Sequence, residues 1–211
     1  MTNKKQNILI AGANGTTGRI IIELLKGSEV YRPIAMVRKQ EQKDRFEKEN
    51  ISVVLADLEQ DLKHSVVNVD KVIFAAGSKG KNVIGVDQEG AKRLIDAAKD
   101  AGVKKFVMLS TMGADNPTIS DTLEDYLRAK QNADDYLKAS GLNYTIVRPG
   151  SLTDKKGTGK IQLKEKIENH GDISRADVAQ TLVDVLNDGV KHNQVFEILA
   201  GETRIENAVA Q

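Results

Sequence analysis

The sequence contains no cysteine and no tryptophan, and its aromatic residues are limited to four Tyr and four Phe. Without cysteine the chain can form no disulfide scaffold, no thiolate metal site and no cysteine nucleophile, and a reducing cytosol is the compartment expected. So few aromatic side chains argue against binding of nucleic acid by base stacking. These absences favour a cytoplasmic protein that is stabilised by an ordinary hydrophobic core.

An excess of charge of one sign is also absent, because 31 Lys and Arg residues stand against 30 Asp and Glu residues and the formal net charge is +1. The chain therefore has no broad electrostatic field to attract nucleic acid or an anionic membrane. No apolar run approaches the roughly 20 residues that cross a bilayer, and too few apolar residues precede Gly12 for the core of a signal peptide. We expect a small-molecule substrate, no nucleic-acid or membrane partner, and a monomer or homodimer.

The sequence shows no pattern typical of a metal site or of a serine hydrolase. The histidines His64, His170 and His192 are scattered without the spacing of metal ligands, so no metal site is predicted. No Gly-x-Ser-x-Gly motif occurs, which leaves a hydrolase without its nucleophile elbow.

Short β-rich runs alternate with longer amphipathic segments along the chain. The predicted strands are Ile8–Ala11, Ile34–Val37, Ser52–Ala56, Val72–Ala76, Phe106–Leu109, Tyr144–Val147 and Val195–Leu199. The predicted helices are Thr17–Lys26, Gln40–Glu49, Val86–Ala101, Leu123–Ala139 and Ser174–Asn187. Because the strands are apolar throughout, we predict a parallel sheet covered by helices on both faces, a three-layer α/β/α arrangement. One domain over residues 1–211 accounts for the chain, with a small substrate-side segment near 151–172 and a mobile loop at Lys155–Lys160.

Three glycines follow the first predicted strand at intervals of three residues: Gly12, Gly15 and Gly18. In such a turn the first glycine lets the chain leave the strand, the second lets backbone N–H groups approach a pyrophosphate, and the third lets the helix pack on the sheet. The helix N-terminus adds partial positive charge. Cofactor contacts are also predicted for Asn14, Thr16 and Thr17. The alternative is a strand-to-helix turn that needs glycine for its geometry alone.

Arg38 stands where the second predicted strand ends, about 20 residues past the glycines. Sites that prefer NAD(H) usually carry Asp or Glu there to bind the ribose 2′-hydroxyl. A guanidinium can instead form paired, charge-assisted bonds to a 2′-phosphate, which favours NADP(H) over NAD(H). The alternative is an arginine that only meets solvent.

Tyr126 and Lys130 are four residues apart in a predicted helix and therefore lie on one face of it. The pair follows Ser110 and Thr111 at the end of the fifth strand, where ligands of open α/β sheets bind. A tyrosine that donates a proton near neutral pH needs an adjacent cation, because its ordinary pKa is about 10. A Tyr-x-x-x-Lys pair also arises easily by chance, and Tyr126 could instead be a half-buried aromatic of its helix.

Motifs along nearly the whole chain resemble those of the short-chain dehydrogenase/reductase superfamily. They are AGANGTTG at 11–18, VR at 37–38, LADL at 55–58, FAAG at 74–77, VMLST at 107–111, Tyr126-x-x-x-Lys130, YTIVRPG at 144–150 and ISRADVA at 173–179. The sequence is most similar to small atypical members of the NAD(P)-binding, NAD-dependent epimerase/dehydratase-like type. A more distant resemblance is to biliverdin and flavin reductases.

This resemblance implies a Rossmann-type, doubly wound fold and roles for individual residues. Tyr126 would act as general acid/base, and Lys130 would bind the nicotinamide ribose and lower the pKa of the phenol. Thr111 takes the place of the superfamily's catalytic Ser or Thr, with Ser110 before it. Further cofactor contacts are implied at the ends of three strands, for Asp57, Leu58, Ala75, Ala76, Gly77 and Pro149.

Arg148, before Pro149, admits a structural interpretation as a buried partner of a carboxylate such as Asp177. It would then stiffen the exit from the sixth strand and take no part in chemistry.

The leading hypothesis is therefore an NADPH-dependent reductase that transfers hydride to a small carbonyl, quinone or flavin-like acceptor. A rival is a non-catalytic nucleotide sensor that resembles NmrA-like regulators. A sugar-nucleotide epimerase or dehydratase is less favoured, because the segment near 151–172 is short for a lobe that would hold such a substrate.

Overall fold

The computed structural model describes residues 4–78 and 80–211. The strands are β1 (Gln6–Ala11), β2 (Tyr31–Val37), β3 (Ser52–Leu55), β4 (Lys71–Phe74), β5 (Lys105–Leu109), β6 (Tyr144–Pro149), β7 (Ser151–Thr153), β8 (Lys160–Lys164), β9 (Asp172–Ser174), β10 (Gln194–Ala200) and β11 (Thr203–Arg204). The α-helices are α1 (Thr16–Lys26), α2 (Gln40–Lys48), α3 (Ala91–Asp100), α4 (Glu124–Ala139), α5 (Arg175–Asp184) and α6 (Ile205–Ala210). A π-helical segment, Val83–Gly90, leads into α3, and short 3₁₀ turns occur at Lys63–Val66 and Pro117–Ile119.

The central sheet has the strand order β11-β8-β10-β6-β5-β4-β1-β2-β3. The run from β10 to β3 is parallel, whereas β8 and β11 pair antiparallel at one edge. Strand order reverses at β1, which lies between β2 and β4. In open α/β sheets, ligands bind outside the carboxyl ends of the strands at this reversal. The doubly wound, Rossmann-type fold expected from the sequence is confirmed.

Alternate residues of β1 face two separate hydrophobic cores. Ile8 and Ile10 pack in the core that contains α1 and α5, whereas Leu9 and Ala11 pack in the core that contains α3 and α4. A strand buried on both faces reads as a continuous apolar run, which explains the sequence pattern. The helices therefore form a layer on each side of the sheet.

The short elements near the carboxyl end were not predicted. Strands β7, β8, β9 and β11 and helix α6 have two to six residues each, too few for a clear periodicity. The predicted mobile loop at Lys155–Lys160 is anchored, because the Asp177 carboxylate accepts hydrogen bonds from the backbone N–H groups of Thr158 and Gly159 at 3.1 and 2.8 Å. In the part of the chain that the structure describes, no helix is both long enough and apolar enough to cross a membrane.

Candidate functional site

The three glycines form a turn in which the backbone leaves no room for side chains. Gly12 has a φ of +86°, and a Cβ added there would lie 2.6 Å from the Ala76 nitrogen. A Cβ on Gly18 would lie 2.2 Å from the Gly12 oxygen. Helix α1 starts at Thr16, so Gly15 is its N-cap and Gly18 lies in its first turn, with no side-chain cap on the N-terminus. The Gly15 N–H donates to the Gly12 oxygen at 2.9 Å, and the uncapped N-terminus that follows is the arrangement that binds a pyrophosphate.

A cluster of guanidinium groups surrounds this turn. The Asn14 Oδ1 atom accepts hydrogen bonds from Arg19 at 2.8 Å and from Arg45 at 2.7 Å. The Arg19 guanidinium also lies 5.1 Å from the centre of the Phe46 ring. Arg38 follows β2, whose Met36 pairs with Ala11 of β1, so Arg38 and Asn14 lie at the same edge of the sheet.

The Arg38 side chain is exposed, and within residues 4–78 and 80–211 it has no hydrogen bond or ion pair. Arg19 and Arg45 were missed in the sequence analysis. Arg19 carried a local signal, because it directly follows Gly18. Arg45 carried none, since only the packing of α2 brings it to the glycine turn.

The residues that follow β3 and β4 lie near the glycine turn. Leu58 is buried beneath the π-helical segment, where a Cβ on Gly90 would lie 2.8 Å from the Leu58 Cβ. The Asp57 carboxylate accepts a hydrogen bond from the Glu59 N–H at 3.0 Å, which shapes the turn after β3. Ala75 donates its N–H to the Ala11 oxygen at 2.9 Å. The Ala76 nitrogen would lie 2.6 Å from a Cβ on Gly12, and a Cβ on Gly77 would lie 3.3 Å from Asp87 Oδ1.

Lys130 is buried and already has a partner. Its ammonium lies 3.6 Å from the Asp87 carboxylate and donates to the Leu109 oxygen at 3.3 Å. The same ammonium is 5.8 Å from the centre of the half-buried Tyr126 ring. Asp87 belongs to the π-helical segment and was missed in the sequence analysis, since its partner is 43 positions away. π-helical turns are rare and often occur at functional sites.

Asp87 also orders the end of the turn after β4. It accepts a hydrogen bond from the Ser78 N–H at 2.9 Å. The Ser78 hydroxyl is buried and has no hydrogen-bond partner among the described residues. A buried hydroxyl without a partner is a group that a ligand can satisfy. Ser78, Asp87 and Lys130 thus form a polar cluster at the carboxyl edge of the sheet.

Ser110 and Thr111 differ in what their hydroxyl groups can do. The Ser110 hydroxyl donates to the Asp134 Oδ2 atom at 2.8 Å. The Thr111 hydroxyl is half-buried and has no hydrogen bond within the described part of the chain. Thr111 is therefore the hydroxyl that remains available to an acceptor, while Ser110 is held by Asp134.

Arg148 is paired with Asp134, not with Asp177 as the sequence suggested. Its Nε and Nη2 atoms lie 3.0 and 2.9 Å from Asp134 Oδ2, and its Nη1 atom lies 3.7 Å from Asp115. Burial raises the pKa of the Asp134 carboxyl, and the charge of Arg148 limits that rise. Asp177 instead accepts a hydrogen bond from the Ser174 hydroxyl at 2.7 Å, at the start of α5. Pro149 follows Arg148 and is buried at the same edge.

The residues present fit a dinucleotide. The glycine turn, Arg38 and the turn that carries Ser78 all follow parallel strands at the carboxyl edge of the sheet. Among residues 4–78 and 80–211, no group of three or more His, Asp or Glu side chains could hold a metal ion.

Comparison with known proteins identifies the family. A family model described as NAD(P)H-binding matches residues 12–189. The chain belongs to this NAD(P)H-binding family.

Relatives with this fold match nearly the whole chain. An uncharacterized sugar epimerase, YhfK, from Bacillus subtilis (strain 168) is 38% identical over 210 residues, which cover 96% of this chain and 98% of that protein. The structure of a Bacillus halodurans protein, provisionally named an NAD-dependent epimerase/dehydratase, superimposes with a TM-score of 0.93 at 36% identity and covers 98% of this chain and 99% of its own. The sanguinarine reductase of Eschscholzia californica is 26% identical over 249 residues, which cover 93% of this chain and 90% of that enzyme. Homologues of this NAD(P)H-binding protein thus include a reductase.

Proposed function

We propose that this protein is an NADP(H)-dependent reductase that acts on a small carbonyl, quinone or flavin-like acceptor. The observation that carries the proposal is that Arg19 and Arg45 meet at Asn14, with Arg38 at the same edge of the sheet, beside a glycine turn at the uncapped N-terminus of α1. Guanidinium groups can neutralise a 2′-phosphate, whereas the ribose 2′-hydroxyl of NAD(H) carries no charge to pair with them.

Residues of the chain at the carboxyl edge of the sheet would then have separate roles. The glycine turn would hold the pyrophosphate, and Lys130 with Asp87 would hold the nicotinamide ribose. The Thr111 hydroxyl would orient the acceptor, and Tyr126 would supply its proton. Lys130 and Pro149 would border the nicotinamide, which supplies hydride when the cofactor is bound.

Arg38→Asp should weaken the binding of NADPH about 100-fold and leave the affinity for NADH nearly unchanged. The change removes charge-assisted bonds worth about 1.5 to 3 kcal/mol and places a carboxylate against the 2′-phosphate. Titration calorimetry with both nucleotides measures the two affinities. The matched control is Arg32→Asp, which makes the same charge change on an exposed residue at the opposite end of β2.

An equal loss of affinity for NADPH and NADH in Arg38→Asp would contradict the assignment of NADP(H). Loss of NADPH affinity in Arg32→Asp as well would mean that net charge, and not a local contact, sets the preference.

A non-catalytic nucleotide sensor is the second candidate, and one observation favours it. The Lys130 ammonium is already balanced by Asp87 at 3.6 Å and lies against the face of the Tyr126 ring. A sensor needs the glycine turn and the arginine cluster but no proton donor. An epimerase or dehydratase is less favoured, because residues 151–172 contribute only the short strands β7, β8 and β9 to the substrate side.

Tyr126→Phe separates the enzyme from the sensor. Removal of a general acid should lower the rate of aldehyde reduction by NADPH about 100-fold, with little change in NADPH affinity. Turnover with a flavin acceptor should persist, since hydride transfer to a flavin can proceed without a side-chain proton donor. Steady-state oxidation of NADPH with aldehydes, quinones and flavins measures both results.

Tyr136→Phe is the matched control, because Tyr136 lies on the same helix and donates its hydroxyl to Asp96 at 2.8 Å on the surface. Absence of NADPH oxidation with every acceptor in the parent protein would favour the sensor. Equal aldehyde reduction by Tyr126→Phe and the parent would exclude Tyr126 as the proton donor.

A further inference from the structure

Two lysines are buried at the amino ends of neighbouring central strands. Lys71 is the first residue of β4 and Lys105 is the first residue of β5, and each side chain is only 1% exposed. Because the strands are parallel, both lysines lie at the edge of the sheet opposite the glycine turn. A buried ammonium group is costly unless its charge is balanced, so the partners of these two groups matter.

The partners balance the two charges incompletely. Lys71 lies 2.8 Å from the Asp188 carboxylate and donates to the Leu186 oxygen at 2.7 Å. Lys105 donates to the oxygens of Asn187 and Val190 at 2.9 and 2.6 Å, and these are neutral carbonyl groups. Lys71 thus pairs with a carboxylate whose side chain is 66% exposed, whereas no carboxylate of the described residues lies within 4 Å of the Lys105 ammonium. The third N–H of Lys105 has no protein acceptor within residues 4–78 and 80–211.

A cavity of about 320 Å³ adjoins Lys105. We call it the lysine cavity, and its lining residues are Lys104, Lys105, Asn143, Asp188 and His192. Four of these side chains can donate hydrogen bonds, and two of them already do: Lys104 donates to Asp70 at 3.2 Å and Asn143 donates to the Lys104 oxygen at 3.2 Å. Asp188 is engaged by Lys71. The volume is ample for a group of five to ten non-hydrogen atoms, given that a water molecule occupies about 30 Å³.

We propose that the lysine cavity binds a divalent tetrahedral oxyanion, either as a free ion or as the phosphate of a small phosphomonoester. Such an anion would receive the third N–H of Lys105, together with donors from Lys104, Asn143 and His192. One of its negative charges would balance the single excess positive charge left by two ammonium groups and one carboxylate. Its several oxygens suit the cavity, because donors from separate chain segments converge there.

The titration of Lys105 supports this assignment. Burial, followed by the charge of Lys71, lowers the pKa of Lys105 to about 8, while Asp188 acts in the opposite direction. An anion in the cavity stabilises the ammonium form, so the affinity should fall as the pH rises from about 7 to about 9. The other titratable groups facing this region are Lys71, Asp188, Lys104, its partner Asp70, His192, and Tyr31, whose ring faces Lys71.

Titration calorimetry with sulfate at constant ionic strength tests the proposal on the full chain. Sulfate does not itself titrate in this pH range, so any pH dependence belongs to the protein. We expect millimolar affinity at about pH 7, a decrease approaching tenfold by about pH 9, and at least a tenfold loss in Lys105→Met. Inorganic phosphate and glycerol 3-phosphate, tested in parallel, distinguish a site for the free ion from a site for a phosphomonoester.

Variants at exposed positions keep the test decisive if Lys105→Met does not fold. Lys104→Gln combined with His192→Gln removes two donors from the cavity and should weaken sulfate binding severalfold, whereas Lys99→Gln, an exposed lysine of α3, should not. Absence of heat with sulfate at millimolar concentration overturns the proposal. An equal affinity for sulfate in the parent, the double variant and Lys99→Gln also overturns the proposal, because it would reflect general screening of charge. The result is independent of NADPH binding and of the reductase activity.

Discussion

Gly18→Ala should abolish the binding of both NADPH and NADH. The new Cβ would lie 2.2 Å from the Gly12 oxygen and 2.9 Å from the Ala13 Cα, so the turn must open. Opening it withdraws the backbone N–H groups from a pyrophosphate. Loss of two charge-assisted hydrogen bonds at about 1.5 to 3 kcal/mol each corresponds to a decrease in affinity on the order of 1000-fold. Titration calorimetry with each nucleotide measures the effect.

Gly27→Ala is the matched control. Gly27 follows the same helix with a φ of −81°, and a Cβ there would come no closer than 4.0 Å to the Leu24 oxygen. The Gly27→Ala variant should therefore bind both nucleotides with the affinity of the parent protein. If Gly18→Ala retained the parent's affinity, the glycine turn would not be the pyrophosphate site, and the enzyme and sensor proposals would both fail.

Asp134→Ala should destabilise the fold by about 3 to 5 kcal/mol, because it leaves the Arg148 guanidinium buried without its carboxylate. Asp134 is fully buried, and a single oxygen of its carboxylate accepts hydrogen bonds from Ser110 and from Arg148 Nε and lies 2.9 Å from Arg148 Nη2. The free energy of unfolding, from urea denaturation, measures the loss. The variant should also release the Ser110 hydroxyl beside Thr111.

The neighbouring substitution Asp135→Ala provides the comparison. Asp135 is exposed and forms an ion pair with Lys138 on the surface of α4, so its removal should change the unfolding free energy by less than about 1 kcal/mol. Similar losses of unfolding free energy in the two variants would show that the buried Arg148 guanidinium does not need the Asp134 carboxylate as its partner.

The central strands could be predicted because each is buried on both faces and therefore apolar along its whole length. Their ends were less predictable: β2 begins at Tyr31 rather than Ile34, and β6 continues to Pro149. The predicted helix Val86–Ala101 is in fact a π-helical segment followed by α3. Backbone hydrogen bonding distinguishes those two helices, and the spacing of apolar residues does not.

The sequence by itself determined the glycine turn, the parallel order of strands and helices, and an arginine in place of a carboxylate after β2. These features are local, since each depends on residues within one turn or one strand. Tertiary structure alone decided which polar side chains meet: Arg45 and Asn14, Asp87 and Lys130, Asp134 and Arg148, and Lys71 and Lys105 with the residues that follow α5. Such pairs join elements that are distant in the chain, and their energies depend on burial, which a sequence pattern does not specify.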